Sequence, residues 1–234
     1  MSSEPASRAG ATGAAIIVKR SARAKAMRLR VDPRNGAVTL IVPGRVSERR
    51  ALAWAASQSG WIEAALAEIP PPVTIAPGVE VPLYGRPHRL IWRPDQPRAV
   101  QIEGDAIVTG GPAETLPARL LRWLRQHARA RLEEETRAFA GKAAVNVPRV
   151  GVGDPVSRWG SCSATGAIRY SWRLILAPEW VRRATVAHEV AHRVHLNHGA
   201  AFHALVAQLL EDDPVPARRW LRRHGASLHR FGRL

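Results

Sequence analysis

The stretch VAHEVAHRVHLNHGAAFHAL, residues 186–205, holds five of the chain's 9 histidines. Within it, His188-Glu189-x-x-His192 has a spacing that sets two imidazoles on one face of a helix, because residues four apart lie one turn above the other. Two such histidines can share one metal ion. Glu189 stands beside them, where its carboxylate can take a proton from a water acidified by that ion. The donor set suits zinc, one ion per chain.

A zinc site of this kind needs a third protein ligand. His195 follows His188 by seven residues and lies on the same side of a continued helix, about 4.5 Å beyond His192 along the axis. Three ligands in one row do not fan out easily around a tetrahedral ion. His198 is better placed: Asn197 and Gly199 supply turn chemistry on both sides of it, so a helix ending near Leu196 would let the chain fold back. Glu211, on the next helical segment, is a competing ligand, and His195 and His203 are the others. Asp212 and Asp213 either accept from a ligand imidazole or simply precede the Pro214 break.

Hydrolysis at a zinc site also needs a donor for the developing oxyanion. Arg158, Tyr170 and Arg173 are the candidates. Arg158, in SRWGSCS, can alternatively bind an anionic group of a substrate whose extended backbone pairs with exposed chain there. Trp159 reads as a core plug and Gly160 as a tight bend, while Arg173 has Glu179 or a helix C-terminus as alternative partners. Cys162 reads as a small buried residue, since zinc hydrolysis needs no thiol and no separate base attends it. His88, His127, His224 and His229 read as ordinary surface or half-buried residues.

These side chains need a scaffold. Residues 1–15 are small and polar and are expected to be disordered. Residues 16–110 form a β-rich region: MRLRVDPRNGAVTLIV reads as a hairpin, and VEVPLYGRPHRLIWRP and AVQIEGDAIVTG as further strands, the latter turning at Gly104-Asp105. One helical insertion interrupts it, capped by Ser47 and broken or bent at Gly60. Residues 111–234 start with a long amphipathic helix closing near Gly141. Short strands then flank the loop DPVSRWGSCSATG, and the helix PEWVRRATVAHEVAHRVHL follows with Pro178 near its first turn. Two shorter helices finish a fold of the α+β class.

The formal net charge is +16, concentrated at the ends: residues 1–50 carry 11 Lys+Arg against 3 acids, and residues 214–234 carry 6 against none. Nearly all the cations are arginine, suited to phosphate or carboxylate. Arginine-rich ends are compatible with nucleic acid, nucleotides or acidic proteins, though charge alone names no partner. In the C-terminal segment Trp220 and Phe231 could stack on bases, or the segment could be an amphipathic helix packed through Trp220. A single cysteine, no signal-peptide core and no membrane-length apolar run point to a soluble protein of the cytoplasm.

In combination and in order, SRWGSCS, IRYSWRLILAP and HEVAHRVHLNHGAAF resemble the YgjP-like metallopeptidase family, related to the SprT-type zinc proteases. The first half resembles it too, through RSARAKAMRLRVDPRNGAVTLIVP and PLYGRPHRLIW, so nearly the whole chain from about residue 16 is covered. The resemblance implies a zincin-like catalytic half with zinc on His188, His192 and His198 and Glu189 as catalytic acid/base. Gly199 stands where the family usually has Ser, and His203 where it usually has Trp.

The expected function is therefore zinc-dependent cleavage of protein or peptide substrates. Two alternatives keep the metal. One is a phosphohydrolase acting on nucleotides, against which no Gly-rich phosphate loop is found. The other is a nucleic-acid-binding protein with a structural metal site, for which no reading motif is present.

Overall fold

The computed structural model describes residues 7–9 and 15–233. Contacts divide the chain into two compact units, Met1–Pro71 and Pro72–Leu234. Of the leader expected to be disordered, residues 1–6 and 10–14 lie outside the described residues, while Ser7–Ala9 form a short strand.

In the first unit, β1 (Ser7–Ala9), β2 (Ala15–Ser21), β3 (Arg28–Val31) and β4 (Val38–Pro43) make a sheet of order β1-β2-β4-β3. The expected hairpin is β3–β4, antiparallel, with Val31 opposite Val38. Its turn is held by the Asp32 carboxylate, which accepts from the Arg34 backbone and guanidinium. On β4 the alternating Val38, Leu40 and Val42 are buried, as strand periodicity requires. They pack with Ala51 and Ala55 of α1 (Glu48–Ala56) and Ile62 of α2 (Ser59–Ala67). Ser47 caps α1 by accepting the Arg50 N–H, as expected. The helical insertion breaks at Ser57-Gln58, just ahead of Gly60, which lies in the first turn of α2.

The second unit starts with β5 (Glu80–Val81), β6 (His88–Trp92), β7 (Gln101–Glu103) and β8 (Ala106–Thr109), in a sheet of order β5-β6-β8-β7. The 27-residue helix α3 (Leu116–Lys142) buries Leu116, Leu120, Leu124, Ala128 and Leu132 at four-residue spacing. Burying each leucine stabilises the fold by roughly 2 kcal/mol. Val81, Leu83, Leu90 and Ile107 of the preceding sheet share this core. Contacts therefore place β5–β8 in the same unit as the long helix.

Next come β9 (Val150–Gly153), β10 (Gly160–Cys162) and β11 (Ile168–Ser171), a three-stranded sheet of order β10-β11-β9 with β10 at its edge. A 3-10 turn at Trp172–Leu176 leads into α4 (Glu179–Ala191), followed by α5 (Ala200–Leu210) and α6 (Val215–Arg230). A buried ion pair fastens α4 to α3: the Arg182 guanidinium donates to Glu135 at 2.7–3.1 Å. The chain end is tied in as well, the Val73 N–H bonding Arg230 O and the Gly232 N–H bonding Val73 O. The architecture is α+β, with no helix among the described residues long and apolar enough to cross a membrane.

Candidate metal centre

The helix carrying the motif is shorter than its sequence suggests. α4 ends at Ala191, and His192 is its C-cap residue. No glycine or proline between 192 and 196 announces this. Backbone bonds from Val194 and His195 to Ala191 O turn the chain, and the His192 ring donates through Nδ1 to the His195 carbonyl at 3.1 Å. A carbonyl can only accept, so that bond fixes the proton on Nδ1 and leaves the Nε2 lone pair of His192 free to bind a ligand. His195 thus enters the site through its backbone.

The early turn brings His198 back onto the helix. One ring nitrogen from each of His188, His192 and His198 lies within 4.8 Å of the others. The Nε2 atoms of His188 and His198 are 3.2 Å apart. Two nitrogens bound to one tetrahedral zinc at its usual bond length are separated by about 3.3 Å, so this pair is spaced to share a metal ion of that kind. Phe202, fully buried, lies against all three imidazoles with ring centres 4.7–4.9 Å away. Burial, aided by the neighbouring His192 and His198, pushes the His188 pKa down to about 4, which keeps the ring neutral and able to ligate.

Glu189 shares a cleft with His188 and packs against the edge strand β10. It is 6% exposed, and burial lifts its pKa to about 7 against the opposing charge of Arg158 and a hydrogen bond from the Cys162 backbone. Gly160 is what lets it fit. A Cβ there would lie 2.5 Å from Glu189 Oε1 and 2.6 Å from its Cγ. Gly160 has ordinary strand geometry, so its role is close approach to the carboxylate and not the tight bend expected of it. A cleft of about 270 Å³ opens beside His188 and Glu189, walled by Trp159, Val206, Ala217 and Leu221 and also lined by His203.

Of the three oxyanion candidates, Arg158 alone lines this cleft. Arg173 is buried and engaged: it bonds Asp154 at 2.7 and 3.2 Å and donates through Nη1 to the carbonyls of Leu228 and Phe231. That corrects its candidacy in favour of the helix-C-terminus alternative. Tyr170 is fully buried, its hydroxyl 3.0 Å from Thr136 Oγ1, and burial pushes its pKa up. It too faces the core instead of the cleft. The competing ligands are likewise elsewhere. Glu211 pairs with Lys142 at 2.6 Å, and the His203 ring centre stays 6.4 Å from that of His198; Asp213, a candidate acceptor for a ligand imidazole, instead accepts the Val215 N–H at the start of α6.

Trp159 stacks on His229 at 5.0 Å, so it is both core plug and cleft wall. Phe231 is 2% exposed and cannot present its ring to a base. His88 and His229, expected at or near the surface, are buried. His127 stacks on Trp123 and bonds the Tyr84 hydroxyl, and His224 packs on Trp220. Two participants escaped the sequence reading. Gly160, expected as a bend in a loop, lies in strand β10 against Glu189, and Phe202 carried the signal of an aromatic four residues after His198.

Three imidazoles beside a buried carboxylate, next to an edge strand and an open cleft, make up the arrangement used by metal-dependent hydrolases. The model of the family described as YgjP-like, metallopeptidase domain, matches residues 25–224. The chain belongs to that family, and with it to the metallopeptidase-type hydrolases. No curated protein and no solved structure matches it.

Proposed function

We propose that the protein is a zinc-dependent peptidase of the cytoplasm, acting on protein or peptide substrates. The observation that carries this reading is the convergence of His188, His192 and His198 within 4.8 Å, with the carboxylate of Glu189 adjacent. These three side chains would hold the zinc, which would supply Lewis acidity toward a water and the carbonyl to be attacked. Glu189 takes the proton from the attacking water and returns it to the departing amine, and a pKa near neutrality suits it to both transfers. Gly160 and the Cys162 N–H keep that carboxylate in place. Arg158 stands at the cleft wall, where its guanidinium can meet the developing oxyanion.

Elemental analysis of the purified protein should find about one zinc per chain. Glu189→Gln should keep that zinc and lose turnover of an unstructured protein by about 10²–10⁴-fold. A Gln variant as active as the wild type would sink the assignment. Nucleoside triphosphates assayed alongside distinguish peptide from phosphoanhydride cleavage.

A further inference from the structure

Bordering β10 lies a second cavity, of about 560 Å³, whose lining includes Arg149, Arg158 and Arg169 together with Ser161, Cys162 and Ser163. No acidic side chain lines it. None of its three arginines makes an ion pair among the described residues, whereas the buried Arg173 and Arg182 each bind a carboxylate. The sheet is shaped around one of them. Arg169 on β11 is flanked by Ser161 on β10 and Gly151 on β9, and its guanidinium lies across Gly153, where a Cβ would come within 2.7 Å of Nε. Three guanidinium groups around one cavity repel one another, and an anion entering it relieves that repulsion.

Arg158 lines both this cavity and the cleft beside Glu189, so the two are neighbours across one side chain. They differ in chemistry. The cleft offers Ala184, Val206, Ala217 and Leu221 to an apolar side chain; the second cavity adds three guanidinium groups and the Ser161 and Ser163 hydroxyls to a lining that also includes Val152, Ala167 and Ile168. We propose, resting on the peptidase reading above, that the preferred substrate is a peptide with an apolar residue on one side of the cleaved bond and Asp or Glu on the other, the acidic side chain being held by Arg149 and Arg169, with Arg158 left at the boundary to meet the oxyanion. A carboxylate fits better than a phosphate because the lining comes from strands and their turns, with no helix N-terminus and no glycine-rich nest of N–H groups facing inward. The edge position of β10 adds backbone groups that an extended peptide can pair with.

The test uses quenched fluorescent peptides that carry an apolar residue and differ only in having Glu or Gln at the positions flanking the scissile bond. Zinc-loaded wild type should cleave the Glu peptide about tenfold more efficiently, a ratio that falls with added salt. Arg149→Ala with Arg169→Ala should bring the ratio near one, and Arg169→Lys should restore part of it, with zinc content and melting temperature reporting that the fold is intact. Equal cleavage of both peptides by wild type would overturn the acidic preference and leave the peptidase reading standing. Cleavage of neither peptide, with arginine-dependent anisotropy binding of the Glu peptide to wild type, would overturn the peptidase reading and keep the carboxylate site. Stronger competition by a nucleoside triphosphate than by the Glu peptide, lost in the double variant, would overturn the choice of carboxylate.

Discussion

Two polar clusters in the second unit are built in opposite ways. Around Asp154 each charge meets its opposite: Arg173 and Arg233 both donate to the carboxylate at 2.7 Å, and Arg173 also satisfies two carbonyls at the C-terminal end of α6. Around His188, His192 and His198 like groups converge, with two Nε2 atoms 3.2 Å apart and no carboxylate in the group. The first cluster is closed and holds loops to the chain end. The second brings together three ring nitrogens that could hold a metal ion. Pairing of opposite charges marks a structural polar cluster, and convergence of like ligand atoms marks a binding one.

Removing one member of each cluster separates the two roles. His198→Ala should weaken zinc binding by roughly 3–4 kcal/mol, more than a hundredfold, because structural zinc sites gain about 10–16 kcal/mol over four ligands. Its effect on unfolding measured in chelator should be small. Competition with a chromophoric chelator measures the first quantity. Glu211→Gln, at the rejected ligand, should change neither. Unaltered affinity in His198→Ala would break the comparison at its centre.

Asp154→Ala should do the reverse, costing about 2–3 kcal/mol of stability by stranding the buried Arg173 charge while zinc affinity persists. Burial pushes the Asp154 carboxyl up, but the hydrogen bonds and charge of Arg173, with the charge of Arg233, outweigh it and hold the pKa below the ordinary 3.8. A carboxyl depressed in the folded state contributes stability above its unfolded pKa and loses it as pH falls through the folded value. The gap between wild type and Asp154→Ala in urea unfolding should therefore be full at neutral pH and narrow below about pH 4. A gap that is constant across this range would remove the ionic basis assigned to the cluster.

The two clusters also differ in how much of them was legible in the sequence. His188, Glu189 and His192 are read from spacing alone, since four residues make one helical turn. His198 was placed by the turn chemistry of Asn197 and Gly199, although the turn itself comes earlier, at His192, through a ring-to-carbonyl bond that no local pattern encodes. The Asp154 cluster joins residues 154, 173 and 233, and such a junction depends on how α6 packs; hence Arg173 could be taken for an oxyanion donor. Periodicity fixes strands and helices but not partners across them. Nor does it show that β5–β8, β-rich like the first sheet, share the core of α3.

Gly160 sharpens the comparison from the catalytic side, because it supports Glu189 without touching either cluster. A Cβ at this position would lie 2.5 Å from Glu189 Oε1, too close for any real contact, so Gly160→Ala must displace the carboxylate or the strand. Displacing a general base by a few tenths of an ångström lowers the chemical step and leaves ground-state binding largely alone. The expected outcome is a fall in kcat of about tenfold, near 1.4 kcal/mol, with KM, zinc affinity and melting temperature little changed. A fall in zinc affinity instead would mean that the strand had shifted α4 as a whole. Full activity would mean that the Glu189 carboxylate is not held by β10, and its position would then have to come from the helix alone.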